Sequence, residues 1–260
     1  MSILSSSRSL AAGIGCVAFA MMTLVGCGPT NKFSSYEPTD IARFALPFEQ
    51  DVPSHPDSLK QVRIVEEDEK VQIVPEQGFQ QIVRNWSVQR RNPMERTAQQ
   101  RATDYATFWA MDPSFVSLQV ETGVSSLTKD KALELIEQRR TEVEREIQID
   151  VYWFTRPSAT VGSATAYLLT DEKSRYSSTR REISPLRDGF LPSGQRILHR
   201  RVTYFFDRIQ NDEDILEGTT SIELEVNRVA SSSRDSFTWS WKEAVEDERR
   251  AASEAAGPSK

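Results

Sequence analysis

Two histidines, two cysteines and a scatter of carboxylates are the side chains of this 260-residue chain that could do chemistry. Nucleophilic hydrolysis needs a base beside its nucleophile, and histidine is the commonest choice. His55 lies between Pro53 and Pro56, and His199 stands beside Arg200 and Arg201, whose charge disfavours a protonated ring. Gly162-Ser163 and Gly218-Thr219-Thr220-Ser221 lack the G-x-S-x-G spacing of a nucleophile elbow, so both histidines read as exposed or locally bonded rings. An H-E-x-x-H zinc pattern is absent. The run Asn211-Asp212-Glu213-Asp214 offers oxygen ligands on a turning backbone, which is what calcium requires, but it lacks the D-x-[DN]-x-[DN]-G spacing. An acidic hairpin loop is the plainer reading, with calcium the weak alternative. Asp150 and Asp207 interrupt apolar strands. Paired carboxylates hydrolyse glycosides when about 5 to 9.5 Å apart across a cleft; at alternating strand positions these two read as pointing outward. No glycine-rich phosphate loop follows a strand, and the residues imply no cofactor.

The elements that must position these groups are mostly strands. Gln61–Val65 and Lys70–Val74 alternate apolar and polar residues around Glu66-Glu67-Asp68-Glu69, the pattern of a hairpin. A helix is expected from Asn92 or Pro93 to Met111, with Asp112-Pro113 ending it, because Met94, Ala98, Ala102, Tyr105, Ala106 and Trp109 recur at three- and four-residue steps. Residues 115 to 121 alternate and read as a strand with one buried face. A second helix follows Thr128 as N-cap, with Ala132, Leu133, Leu135, Ile136, Val143 and Ile147 as its apolar stripe. Arg140 with Glu144, Glu137 with Arg140, and Arg139 with Glu142 read as pairs on its outer face.

From Ile147 the chain changes character. Residues 147–155, 164–169, 202–209, 221–229 and 236–241 are β-branched or aromatic runs without intervening helices, which argues for antiparallel pairing. Residues 184 to 195, holding Pro185, Gly189, Pro192 and Gly194, read as a loop. The expected fold is mainly β, of the α+β class: an antiparallel β-sandwich with one or two helices packed at an edge. A single curved sheet covered by both helices is the alternative. The aromatic residues Trp153, Phe154, Tyr204, Phe205, Phe206, Trp239 and Trp241 read first as core, and second as an exposed strip for a glycan or partner chain.

The N-terminus carries the strongest motif. Arg8 precedes an apolar run from Leu10 to Gly26, marginal for a helix that must cross about 30 Å of hydrocarbon but suited to a signal peptide. The tetrad Leu24-Val25-Gly26-Cys27 closes that run and resembles the lipobox of bacterial lipoproteins. The resemblance implies that the Cys27 thiol receives a diacylglycerol, that residues 1–26 are removed, and that the new amino group is acylated. Gly28 after Cys27, where an aspartate would signal retention, implies delivery to the outer membrane. Cys16 leaves with the signal, so the mature chain would hold neither a disulfide nor a thiolate metal site.

The prolines at 29, 38, 47, 53 and 56 make residues 27–58 read as a tether, part of which docks through Phe33, Tyr36, Ile41, Phe44, Leu46 and Phe48. Residues 59–242 form the expected globular domain, and residues 243–260, poor in large apolar side chains, the expected disordered tail. The net charge of −6 supplies no bulk attraction to nucleic acid or anionic lipid, and the scattered arginine pairs read as solvated faces. The expected partners are the membrane, through the N-terminal lipid, and an envelope protein; neither nucleic acid nor a small-molecule substrate is expected. Resemblance to envelope lipoproteins, including secretion-system lipoproteins with small β-sandwiches, implies a binding, assembly or scaffold role. A hydrolase acting on an envelope polymer through carboxylates is the alternative.

Overall fold

Period-two alternation in the second half of the chain builds two sheets. The computed structural model describes residues 38–44, 46–91, 103–154, 164–171, 174–190, 194, 196–228 and 233–241. The expected signal segment with Cys16, the lipobox-like tetrad with Cys27, the first part of the expected tether and the expected tail lie outside the described residues.

The five-stranded sheet runs β1 (Glu49–Asp51), β15 (Ser233–Ser240), β14 (Ser221–Arg228), β7 (Thr165–Thr170), β8 (Arg175–Ser177). The six-stranded sheet runs β10 (Arg187–Phe190), β11 (Arg196–Asp207), β6 (Glu146–Trp153), β5 (Tyr105–Phe108), β4 (Ser87–Gln89), and β9 (Arg180–Ile183) pairs with the second half of β11. Two hairpins complete the strands: β2 (Val62–Glu66) with β3 (Val71–Pro75), and β12 (Ile209–Gln210) with β13 (Glu213–Asp214). All of these pairs are antiparallel except β1 with β15.

The sheets close face to face over one apolar core. Ile147, Ile149, Val151 and Trp153 of β6 meet a core that includes Leu224 and Val226 of β14 and Phe237 and Trp239 of β15. Ring contacts join the layers: Phe108 lies 6.0 Å from Trp239, and Trp153 lies 6.3 Å from Phe237, both edge to face. The Trp239 indole N–H donates to the Trp86 carbonyl at 3.0 Å, and that of Trp241 to the Thr219 carbonyl at 2.9 Å. These tryptophans are core, as their strand positions indicate.

Among the described residues four α-helices, α1 (Pro38–Ala42), α2 (Phe79–Asn85), α3 (Met111–Thr122) and α4 (Lys129–Arg145), complete the fold. Helix α4 starts after Thr128 and buries Ala132, Ile136 and Val143, as its period requires. It packs on α3, β3 and β6, at the margin of the sandwich. The fold is therefore mainly β with an antiparallel sandwich and edge helices.

Three local expectations are corrected. Residues 105 to 108 form strand β5, and the helix expected over them fails because all four are buried on both faces, which erases the alternation. Asp112-Pro113 opens helix α3 instead of closing one, since proline fits the first turn. Residues 115 to 121 are therefore helical; α3 is buried all round from Met111 to Leu118, so its apolar positions show no helical period. The start of the expected earlier helix, residues 92 to 102, lies outside the described residues.

The expected tether is also shorter. From Pro38 onward it is part of the fold: Ile41, Leu46 and Val52 are buried, and β1 extends the five-stranded sheet, with the Val52 N–H donating to the Ser240 carbonyl at 2.8 Å. The prolines at 38, 47, 53 and 56 break this segment into short pieces without keeping it off the core. Similarly, the expected loop 184–195 contains β10, whose register pairs Arg187 with His199 and Phe190 with Arg196.

Candidate functional site

The outer face of the six-stranded sheet holds the most concentrated buried polar chemistry. Strand registers align Ser87, Thr107, Asp150, Thr203 and Glu182 in one row across β4, β5, β6, β11 and β9. Residues directly opposite share a face, so all five project from the side away from the sandwich core. Ser87 and Thr107 join hydroxyl to hydroxyl at 2.7 Å, and Ser87 donates to the Val83 carbonyl at 2.7 Å.

Asp150 is the centre of this row and is wholly buried. It does face away from the main core, as alternation requires, but it does not reach solvent. A second apolar cluster covers that face: Ile41 and Ala42 of α1, Leu46, Val83, Tyr105, Trp109, Tyr152 and Phe154. Tyr105 and Tyr152 stack at 4.8 Å. The Tyr152 hydroxyl donates to Asp150 Oδ2 at 3.4 Å, and Arg201 Nη1 stands 4.0 Å from the same oxygen. Burial raises the Asp150 carboxyl above its ordinary range, while Arg201 and the polar side chains of Thr203, Trp109 and Gln148 pull it back. Asp207, by contrast, is exposed, as expected.

A carboxyl raised by burial is a general-acid feature, so the position of a second carboxylate matters. Along the row the next is Glu182, two strand spacings from Asp150, about 10 Å. Thr203 lies between them, and the Glu182 carboxylate pairs with Arg180. This is wider than glycosidase pairs, and the intervening space is filled by strand.

The other buried carboxylates serve as ion-pair or hydrogen-bond partners within the fold. Arg90 Nη1 lies 3.5 Å from Asp104 and 3.4 Å from Asp235, linking the two sheets, while Asp104 accepts the Phe154 N–H at 2.7 Å. Asp112 accepts the backbone N–H groups of Lys60 and Gln61 at 3.0 and 3.1 Å; burial nonetheless pushes its carboxyl up to about 6. Arg139, expected on the outer face of α4, is buried and donates to the Ser114 carbonyl at 2.9 Å and to Glu121 at 3.0 Å, as well as lying 3.3 Å from Glu142.

The weak calcium candidate proves to be a two-residue hairpin. Asn211 and Asp212 hold φ of 55° and 66°, left-handed values that short polar side chains tolerate, between β12 and β13. Asp212 and Glu213 face solvent, and Asp214 is engaged by Arg208, with Nε donating to both its oxygens at 2.9 Å. Among the described residues no three acid, histidine or cysteine side chains converge as a metal site.

The histidines also lie apart. His55 accepts the Asp57 N–H at 3.3 Å and meets Trp241 edge to face, a locally bonded ring. His199 is buried, not exposed, with its ring 5.6 Å from Phe154. Sequence reasoning missed the row through Asp150, because its members lie on five separate strands; threonine and serine in otherwise apolar runs were the available signal.

Together these features define an α+β sandwich whose buried ionisable groups cross-link its layers. Comparison of the chain with protein-family models, curated proteins and solved structures finds no match in any of the three.

Proposed function

We propose that this protein is a lipid-anchored lipoprotein of the bacterial envelope, acylated at Cys27, facing the periplasm from the outer membrane, and acting as a non-catalytic binding or assembly module. The lipobox at 24–27 supplies the address. The observation that carries the non-catalytic reading is the use made of the buried acids: Asp104 and Asp235 hold Arg90, Asp214 holds Arg208, and Asp112 holds the start of β2. The Arg90–Asp235 and Lys60–Asp112 contacts join segments 145 and 52 positions apart in the chain, which is structural work. No helix among the described residues is long and apolar enough to cross a membrane.

The hydrolase reading has one observation in its favour, the buried Asp150 carboxyl beside Tyr152 and Arg201. Its enclosure by α1, Tyr105 and Trp109 weighs against it. The two readings separate in one experiment. Cells given labelled palmitate should incorporate it into wild-type protein and not into Cys27→Ser, and purified wild-type and Asp150→Asn proteins should release no fragments from isolated envelope glycan. Fragment release by wild type that Asp150→Asn abolishes would establish the hydrolase instead.

A further inference from the structure

We propose that the β9–β10 margin of the six-stranded sheet pairs with the same margin of a second copy of this chain, antiparallel about a two-fold axis between Ser184 and Pro185, to give a dimer with one continuous sheet. Among the described residues β9 and β10 pair with β11 alone, so the N–H and C=O groups on their other side have no strand partner. Ile183, Leu186 and Phe190 are 41%, 39% and 62% exposed along this margin. An open edge that bears large apolar side chains is a template for another strand.

The two strands are one edge broken by a bulge. Ile183 lies opposite Val202 and Arg187 opposite His199, so Ser184, Pro185 and Leu186 face only Arg200 and Arg201. Ser184 pins the bulge, its N–H donating to the Arg201 carbonyl at 2.9 Å and its hydroxyl oxygen accepting the Arg201 N–H at 3.0 Å. One extra residue exchanges the two faces beyond it. Glu182, opposite Thr203, and Arg187, opposite His199, therefore both project on the side away from the sandwich core, while Arg181, opposite Tyr204, and Asp188, opposite Leu198, both project on the other side.

That exchange admits a register which unbroken strands forbid. With the axis between residues 184 and 185, Glu182 falls opposite Arg187 of the second copy, Arg181 opposite its Asp188 and Ile183 opposite its Leu186, each twice by symmetry. Without the bulge the same register would set opposite faces against each other. Charge selects the second copy as the occupant. Arg180 serves two carboxylates, Glu182 and, at 3.0 Å, Glu146, whereas Arg187 has no ion-pair partner among the described residues. Across the axis the spare arginine meets the under-served acid. The Asp188 carboxylate, held by Arg196 at 2.7 Å, keeps lone pairs for Arg181 of the second copy. Pro185 beside the axis has no N–H to offer and confines pairing to a short stretch. At the far margin of the sheet the Gln89 N–H already donates to the Pro47 carbonyl at 2.9 Å. An isologous contact of this kind closes as a dimer instead of growing into a fibre.

The test is the mass of the full chain, purified in a density-matched detergent, by sedimentation across a dilution series. The pairing stands or falls independently of acylation at Cys27. Expected are a reversible dimer for wild type, a dissociation constant raised about tenfold or more by Arg187→Glu and by Glu182→Arg, and a return toward the wild-type constant in the double variant, where the two charges change places across the axis. Hydrogen exchange of wild type supplies a readout that needs no variant: amides of residues 180–190 should be protected in the concentrated sample and exchange faster on dilution. A wild type that stays monomeric, or a dimer whose 180–190 amides exchange alike at both ends of the series, would overturn the proposal. Single variants that leave the dimer intact would place the contact on another surface and overturn the edge pairing. A folded double variant that stays as monomeric as the singles would overturn the register.

Discussion

Arg208 and Asp57, 151 positions apart in the chain, are joined by paired hydrogen bonds, Nη1 donating to Oδ1 and Nη2 to Oδ2. The same guanidinium holds Asp214. Burial alone would lower the Arg208 pKa, yet the hydrogen bonds and charges of the two carboxylates raise it above its ordinary value. One buried arginine thus ties the N-terminal segment to the β12–β13 hairpin. Replacing it by methionine leaves two partly exposed acids facing each other, and should cost roughly 2 to 4 kcal/mol in denaturant unfolding. A double-mutant cycle with Asp57→Asn should give a coupling of about 1 to 3 kcal/mol. Strict additivity would show the pair to be incidental.

Asp112 gives stability a pH dependence of definite sign. Its folded carboxyl titrates at about 6 against an ordinary value of 3.8, so the folded state binds the proton more tightly. Its stabilising contribution is complete below about pH 4 and is lost as pH rises through about 6. The loss should be on the order of 2 to 3 kcal/mol. Asp112→Asn keeps an oxygen for the Lys60 and Gln61 N–H groups and should flatten the profile between about pH 4 and 6, measured as the urea midpoint against pH. A wild-type midpoint that rises over this window would contradict the assignment.

Asp150 should tolerate a change of charge better than a change of shape. Asp150→Asn keeps a side chain of the same size in the row, whereas Asp150→Ala leaves Tyr152 and Arg201 facing a gap, at a cost of about 2 to 4 kcal/mol. Thermal unfolding of the two variants measures the difference. Equal destabilisation would mean that the ionised carboxylate itself holds the network.

Removing residues 38–58 should abolish cooperative folding. The deletion takes away β1, the buried Ile41, Leu46 and Val52, and Asp57 from the Arg208 clamp. At about 1.5 to 3 kcal/mol per buried aliphatic side chain, the loss approaches the whole stability of a domain. A fragment starting at Leu59 that melted like the parent would restore the tether reading for this segment.

That segment shows where the sequence was legible and where it was not. The β2–β3 hairpin, α4, β7, β14 and β15 each bury one face, so period and burial agree; β6 and the second half of β11 are buried on both faces and were legible instead as unbroken runs of β-branched and aromatic residues. Strand β5 and helix α3 are buried all round, and Pro113 carries opposite meanings at the two ends of a helix. The row through Asp150 needed the register of five strands, and its enclosure depended on α1, which the prolines disguised as linker. Arg139 was mistaken for a surface group because its partners, Glu121 and the Ser114 carbonyl, belong to a helix read as strand.

The most direct measurement is the mass of the N-terminal peptide from protein isolated out of its native membrane. Lipidation predicts a chain beginning at Cys27, its thiol carrying a diacylglyceryl group and its amino group an acyl chain. An unmodified Cys27 still joined to Gly26 would contradict the anchor and the localisation drawn from it.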